Sequence, residues 1–465
     1  MKGSTGRYDV IVIGAGPGGE VAAGALGDAG LSVAIVEREL VAGECSYWAC
    51  MPTKTLLRPG EAYHQARRTP GVAAALTGEI DVEEALAWRT RIVAGYDDAG
   101  QAGWLERHGV ELIRGHGTID GPGRVRVGKQ VYETDRIVLA TGSAPIVPPV
   151  PGLRDLTGVW TNREATALTE IPASILILGG GAVGVEIAQA LSRFGALVSL
   201  VEGAPHLMAR EPAALGEALT QVLEREGVNV YLGQHAASAR MDGAGYVLVL
   251  EGGTELRGEK LLVATGRAPR VEGVGLEAIG IEPDRHGVPV DGRMRVADGV
   301  WAVGDVTGIM MFTHVGKYQG RIAAADILGK DVRADYRAVP RVVFTDPELA
   351  AVGETDGPLT ATAQMSEVPR WYAYTDERDV PGFLTLVSDG EKLIGAYGAG
   401  PQAGEWLQQA TIAIRAEIPL TVLRDVIQPF PTFSEIWLKA LDHLCGPDGT
   451  CLTAAEMSTQ MAAAD

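Results

Sequence analysis

The sequence predicts an α/β chain that repeats one strand–turn–helix–strand unit, and three observations carry the prediction. The first is "GAGPGG" at Gly14–Gly19, directly after the β-branched run Tyr8–Ile13. The second is "GGGAVG" at Gly179–Gly184, directly after "SILIL". The third is an acid 23 positions beyond the first glycine of each copy: Glu37 follows Gly14, and Glu202 follows Gly179. Self-similarity of this kind marks an internal repeat.

Each element has a physical reason. Tyr8–Ile13 is a short apolar run bounded by turn residues and reads as a buried strand. An Ala-rich stretch to Ala29 reads as a helix, and "LSVAIVE" as a second strand ending at Glu37. In such a unit the first glycine makes the tight turn and the second lets a pyrophosphate approach the backbone. The third lets helix and strand pack closely. The helix start offers free N–H groups to phosphate, and the acid accepts hydrogen bonds from a ribose hydroxyl. Gly14, Gly16, Gly19 and Glu37 therefore predict one dinucleotide site. Gly179, Gly181, Gly184 and Glu202 predict a second. Each copy later yields a strand ending in one tripeptide, "RIVLATG" at Thr141–Gly142 and "LLVATG" at Gly266. A third strand, "GVWAVGD", places Asp305 at a C-terminal strand edge, where open α/β sheets bind ligands.

Bulk properties narrow the function. A chain of 465 residues, 46% of them hydrophobic, is too long for one ordinary core and predicts two or three domains. A net charge of −19 without a basic patch excludes nucleic acid as the expected partner. The longest apolar runs are too short to span a bilayer, and "MKGSTGRYDVIVIG" lacks the apolar core of a signal peptide. Four cysteines are too few for a secreted disulfide framework. The expectation is a soluble, cytoplasmic chain, where paired cysteines are more often catalytic or metal-binding than structural.

Two of those cysteines, Cys45 and Cys50, stand in "GECSYWACMPTK", and both are expected at the start of one helix. Pro52 suits the first turn of a helix running through "MPTKTLL". In a regular helix, α-carbons five apart are roughly 8–9 Å from each other, whereas a disulfide needs less than about 7 Å. The pair can bridge only if the segment before Cys50 is not regular helix, and such an entry would ease reduction. The positive end of the helix lowers a thiolate pKa. Two ligands without a nearby His or further Cys do not make a structural zinc site, and inert buried thiols have no need of this helix start. Redox activity is the reading the residues favour.

Taken together the chain resembles the larger class of pyridine nucleotide–disulfide oxidoreductases, the class of dihydrolipoamide dehydrogenase, glutathione reductase and mercuric reductase. The resemblance covers nearly the whole chain. It rests on "GAGPGG", the cysteine pair with "PTK" behind it, "ATG", "GGGAVGVE", "ATGR", "VGDVTG", "FTDPELAAVG" and "PTFSE", in that order. It implies two Rossmann-like dinucleotide-binding domains, one for FAD and one for NAD, and an α+β C-terminal dimerisation domain. FAD would sit on residues 1–150 and 272–338, held by Gly14, Gly16, Gly19, Glu37, Thr141, Gly142 and Asp305. A nicotinamide cofactor would sit on 151–271, held by Gly179, Gly181, Gly184, Glu202 and the turn at Gly266. Residues 339–465 would build a homodimer. Lys54 and Glu186 would pair beside the flavin ring. Cys50 would lie against the flavin as the charge-transfer thiolate, and Cys45 would be the interchange thiol. Glu202 favours NADH, with NADPH as the alternative, because a carboxylate there bonds a free 2′-hydroxyl and repels a 2′-phosphate.

The sequence departs from the pattern near its end. Where lipoamide dehydrogenase and glutathione reductase hold a His that shuttles the exchange proton, "QPFPTFSE" holds Phe430. Glu435 is kept, and with Thr432 it fits a capping box for the last helix. Mercuric reductase also lacks that His and carries a C-terminal cysteine pair. Cys445 and Cys451 in "LCGPDGTC" invite the same comparison, as soft-metal ligands or an electron relay, against a tail that merely happens to hold two cysteines. The expected activity is an FAD-dependent NAD(P)H oxidoreductase with a redox-active disulfide, acting on a small thiol or disulfide without the usual His. The alternatives are a reductase of a soft metal ion, quinone or dioxygen, and a flavoprotein redox sensor that does not turn over.

Overall fold

The computed structural model describes residues 6–282, 284–375 and 380–445. Its first large sheet has six strands in the order Arg295–Ala297, Val300–Ala302, Ile137–Leu139, Val10–Ile13, Val33–Glu37 and Val110–Arg114. All neighbours are parallel except the first two. Val10, Ile11, Val12 and Ile13 are all buried. A strand covered on both faces reads as a continuous apolar run, as this one does. The strand expected over Tyr8–Ile13 is interrupted at Asp9. Arg7–Tyr8 pairs instead with Gln130–Thr134 in a separate sheet.

The second sheet repeats the plan with four parallel strands, ordered Asn229–Leu232, Leu197–Glu202, Ser174–Leu178 and Lys260–Val263. In both sheets the strand before the glycine turn is central. It is flanked by the strand ending in the acid and the strand leading to the "ATG" tripeptide. The helices Pro17–Asp28 and Ala182–Arg193 follow the two turns. Just beyond each "ATG", Ser143–Pro145 and Arg267–Pro269 pair with each other as a two-stranded antiparallel ribbon. The two copies are thus stitched at equivalent points.

The remaining chain forms a five-stranded antiparallel sheet in the order Arg341–Val343, Glu348–Gly353, Leu393–Gly400, Phe383–Ser388 and Leu359–Gln364. Leu359–Gln364 alternates buried and exposed residues along its whole length, the period-two pattern of a strand with one wet face. Trp371, Trp406 and Trp437 share a core with this sheet. Among the described residues no helix is long and apolar enough to cross a membrane.

Candidate active site

A cavity of about 780 Å³ lies at the C-terminal ends of the strands of the first sheet. Gly14, Gly16, Glu37, Thr141, Gly142 and Asp305 line it, and so do Cys45, Cys50, Lys54 and Glu186. Of the second copy the helix start enters it through Ala182, Val183 and Glu186, and so do Arg267 and Ala268 just beyond its "ATG"; Gly179, Gly181, Gly184, Glu202 and Gly266 do not.

The glycines of each copy divide their work identically. A Cβ on Gly14 would strike the carbonyl of Ala140, and one on Gly19 would strike the carbonyl of Gly14. A Cβ on Gly16 would meet nothing, so that position is kept open toward the cavity rather than toward protein. In the second copy Gly179 abuts Ala264, Gly184 abuts Gly179, and Gly181 faces open space. Gly14 and Gly179 also have φ of 103° and 112°, which only glycine adopts readily. The acids match too. Glu37 accepts the N–H of Ala15 at 2.8 Å and of Glu39 at 2.7 Å. Glu202 accepts the N–H of Gly180 at 2.7 Å and of Ala204 at 2.8 Å. Two bonds use half of a carboxylate's accepting capacity and leave the rest for a ribose hydroxyl. The first copy therefore fits a dinucleotide: an open backbone cradle, a helix start and an oriented acid meet at one cavity wall.

The cysteines sit on two helices, not on the start of one. Cys45 lies in the short helix Gly43–Tyr47, and Cys50 opens the helix Cys50–Arg67. Between them Trp48 has φ −133° and Ala49 has φ −137° and ψ −97°, so the helical path is broken. This is the irregular entry that the five-residue spacing demanded. Both thiols are free and half-buried. Cys45 hydrogen-bonds to Cys50, which lowers the Cys50 pKa and raises that of Cys45. Thr313 Oγ1, 3.4 Å from Cys50 Sγ, and the Lys54 ammonium lower Cys50 further against the opposing effect of burial. Of the two thiols, Cys50 is the one whose pKa its surroundings lower.

Lys54, one turn beyond Cys50, donates to Glu186 at 2.7 Å. The other Glu186 oxygen accepts the N–H of Phe344 at 3.0 Å, so each oxygen of this buried carboxylate has a partner. Asp305 accepts a hydrogen bond from Ser143 Oγ at 2.5 Å. Arg267, beside Gly266, donates to the same Oγ at 2.7 Å and to Asn162 Oδ1 at 3.1 Å. Ser143, Arg267 and Asn162 were not among the residues singled out in the sequence. The arginine of "ATGR" was the available signal, and the ribbon joining the two "ATG" segments is what carries it to Ser143.

Phe430, Glu435 and Cys445 do not line this cavity. Phe430 is 72% exposed. Glu435 accepts the N–H of Thr432 at 3.3 Å and completes a capping box. The box closes a single 3₁₀ turn, Phe433–Glu435, that leads into the last helix, Ile436–Cys445. Cys445 is fully buried and takes part in a disulfide. Cys451 lies outside the described residues.

Comparison with known proteins agrees with this geometry. Residues 8–320 match the model of the pyridine nucleotide–disulphide oxidoreductases, and residues 339–441 match their dimerisation domain. The chain is 36% identical to a dihydrolipoyl dehydrogenase of Thermus scotoductus, over 94% of this chain and 97% of the relative. It is 34% identical to a mercuric reductase of Shigella flexneri, over 93% and 80%. The Cu(II) complex of the HOCl-induced flavoprotein disulfide reductase RclA from Escherichia coli superposes with a TM-score of 0.83 at 26% identity, covering 94% of this chain and 99% of that one.

Proposed function

The chain belongs to the pyridine nucleotide–disulphide oxidoreductases, and on that footing we propose that it is an FAD-dependent NAD(P)H oxidoreductase whose Cys45–Cys50 pair hands electrons to a small acceptor. One observation carries the reading. Two free cysteines face each other across a helix break in the wall of the cavity that also holds the open glycine cradle. FAD held at this cradle would supply two-electron redox chemistry between the nicotinamide cofactor and the Cys45–Cys50 pair.

The chain's own groups do the rest. Gly16 and the start of helix Pro17–Asp28 receive the pyrophosphate, and Glu37 receives a ribose. Gly181 and Glu202 do the same for the nicotinamide cofactor, with NADH preferred. We assign FAD to residues 1–150 and 272–338, the nicotinamide cofactor to 151–271, and a homodimer interface to 339–465. Exposed Ile412, Val422, Ile427 and Phe430 within this last segment give a second subunit an apolar face to cover. Two electrons and one proton open the Cys45–Cys50 disulfide to a thiolate and a thiol. Lys54 and Thr313 then favour the thiolate at Cys50 and leave Cys45 protonated. With a disulfide substrate, Cys45 passes its proton to solvent, attacks one sulfur as the thiolate and expels the first thiolate. Cys50 then attacks Cys45, closes the disulfide and expels the second.

That sequence needs a proton donor for each departing thiolate, and Phe430 has no proton to give. This favours a second reading of the acceptor, a soft metal ion, a quinone or dioxygen, from which no thiolate has to depart. The likeness to a mercuric reductase and to a Cu(II)-bound flavoprotein disulfide reductase supports it.

Stepwise reduction of the purified FAD-loaded protein tests the cysteine pair. A long-wavelength absorption band should grow at intermediate reduction, vanish in Cys50→Ser and persist without reductant in Cys45→Ser. Identical spectra in all three proteins would end the proposal. NADH consumption with lipoamide, small disulfides, quinones and Hg(II) then separates the acceptor classes.

A further inference from the structure

We infer, resting on the redox reading of Cys45 and Cys50, that Trp48 is a positioning residue: gripped by Arg163, it fixes the turn that brings the two thiols together. The segment from Gly43 to Cys50 has little local reason to keep its shape. Its first helix is five residues long, and so short a helix is unstable alone. At the break Trp48 N–H donates to Glu44 O at 2.8 Å and Thr53 N–H to Ala49 O at 3.1 Å. The conformation must be held from outside.

The hold converges on Trp48. Its carbonyl, left without a helical partner, accepts Asn162 Nδ2 at 2.7 Å and Thr166 Oγ1 at 3.3 Å. Its indole lies 4.1 Å from the Arg163 guanidinium carbon, and tryptophan is the best ring for such a contact. Tyr96 stacks on it at 6.1 Å and 24°. Arg163 also donates to Glu44 Oε1 at 2.8 and 2.5 Å. One guanidinium therefore grips residues 44 and 48, immediately before Cys45 and three residues beyond it. Asn162 adds a second tie to Glu44 at 3.2 Å. Trp48 itself does not line the cavity, so it acts through the cysteines rather than on the cofactor or substrate. The groups that face Cys50 and would respond to a loosened turn are Cys45, Thr313 and Lys54; Cys45 also feels Lys317.

The test uses the FAD-loaded full chain, reduced and then alkylated with iodoacetamide across a pH series, with Cys45 and Cys50 quantified separately by mass spectrometry. In the wild type, Cys50 should react with a midpoint below the ordinary thiol value of about 8.5. In Trp48→Ala that midpoint should rise by about one pH unit, a roughly tenfold loss of thiolate at pH values well below both midpoints. Trp48→Phe, which keeps a ring for Arg163 and Tyr96, should fall between. Should Trp48→Ala fail to fold, Arg163→Lys reads the same point, because an ammonium lacks the planar fork that holds Glu44 and the indole at once. A folded variant with an unchanged Cys50 midpoint, beside a lowered wild-type midpoint, overturns the positioning role alone. An ordinary wild-type midpoint overturns the redox reading, and this inference with it.

Discussion

Lys54 Nζ lies 2.7 Å from Glu186 Oε2 and ties the helix behind the cysteines to the helix that follows the second glycine turn. The Glu186 side chain is only 4% exposed, while that of Lys54 is 35% exposed. Removing the lysine strands a carboxylate that keeps only the Phe344 N–H. Lys54→Met should therefore cost about 1–3 kcal/mol of stability, the range for a buried polar group that loses its partner. Glu186→Gln should cost less, because it keeps the shape and removes the charge. Denaturant unfolding of both variants checks this, and equal stability of wild type and Lys54→Met would refute it.

The glycines should separate folding from cofactor binding. Gly14→Ala and Gly19→Ala force a methyl into a backbone carbonyl and should lower stability by about 1–3 kcal/mol even without cofactor. Gly16→Ala meets no protein atom. It should melt like the wild-type apoprotein yet bind FAD more weakly, since its methyl occupies the space the pyrophosphate needs. Thermal melts of apoprotein beside FAD titrations distinguish the two classes. Gly181→Ala should act likewise on the KM for NADH.

Cofactor choice should follow Glu202. With both carboxylate oxygens already oriented by backbone N–H groups, the side chain is fixed where a 2′-phosphate would meet it. NADH should reduce the flavin more efficiently than NADPH, and Glu202→Arg should narrow the gap. Stopped-flow reduction with each cofactor measures this, and a wild-type preference for NADPH would assign selectivity to another part of the turn.

Phe430 marks the expected chemical deficit. Turnover with lipoamide or glutathione-type disulfides should be poor beside normal flavin reduction, since proton transfer by a positioned group is typically worth about 10²–10⁴-fold. Phe430→His should recover roughly tenfold or more of that range. Fast wild-type turnover with such substrates, on the order of 10–10³ per second, would show that another group moves the proton.

Much of this was legible in the sequence, for reasons specific to each part. The glycine turns announce themselves because their function is backbone geometry, and only glycine satisfies it at Gly14 and Gly179. A distance argument made a broken helix before Cys50 the condition for the pair to bridge, and the break is there. That both cysteines open one helix did not hold, because Cys45 belongs to a short helix of its own. The clamp on Trp48 was not legible. Arg163 and Asn162 lie more than a hundred residues from Glu44 and Trp48 along the chain, and no periodicity connects them. Arg267 reaches Ser143 across 124 positions by the same kind of long-range contact. The capping box at Thr432 and Glu435 was readable, because a cap is a local exchange of hydrogen bonds.

The six-stranded sheet also dictates an order of assembly. Ile137–Leu139 needs Val300–Ala302 as its outer neighbour, and that strand is synthesised only after the whole four-stranded sheet of residues 174–263 has emerged. The inserted unit has all its pairing partners within itself, so it can close early. The sheet that houses the cysteine cavity must wait with one edge unpaired. Such an edge is a template for wrong partners, and non-local pairing is slow. Interrupted synthesis or truncation before residue 300 should therefore yield an aggregation-prone N-terminal sheet beside a well-formed insert.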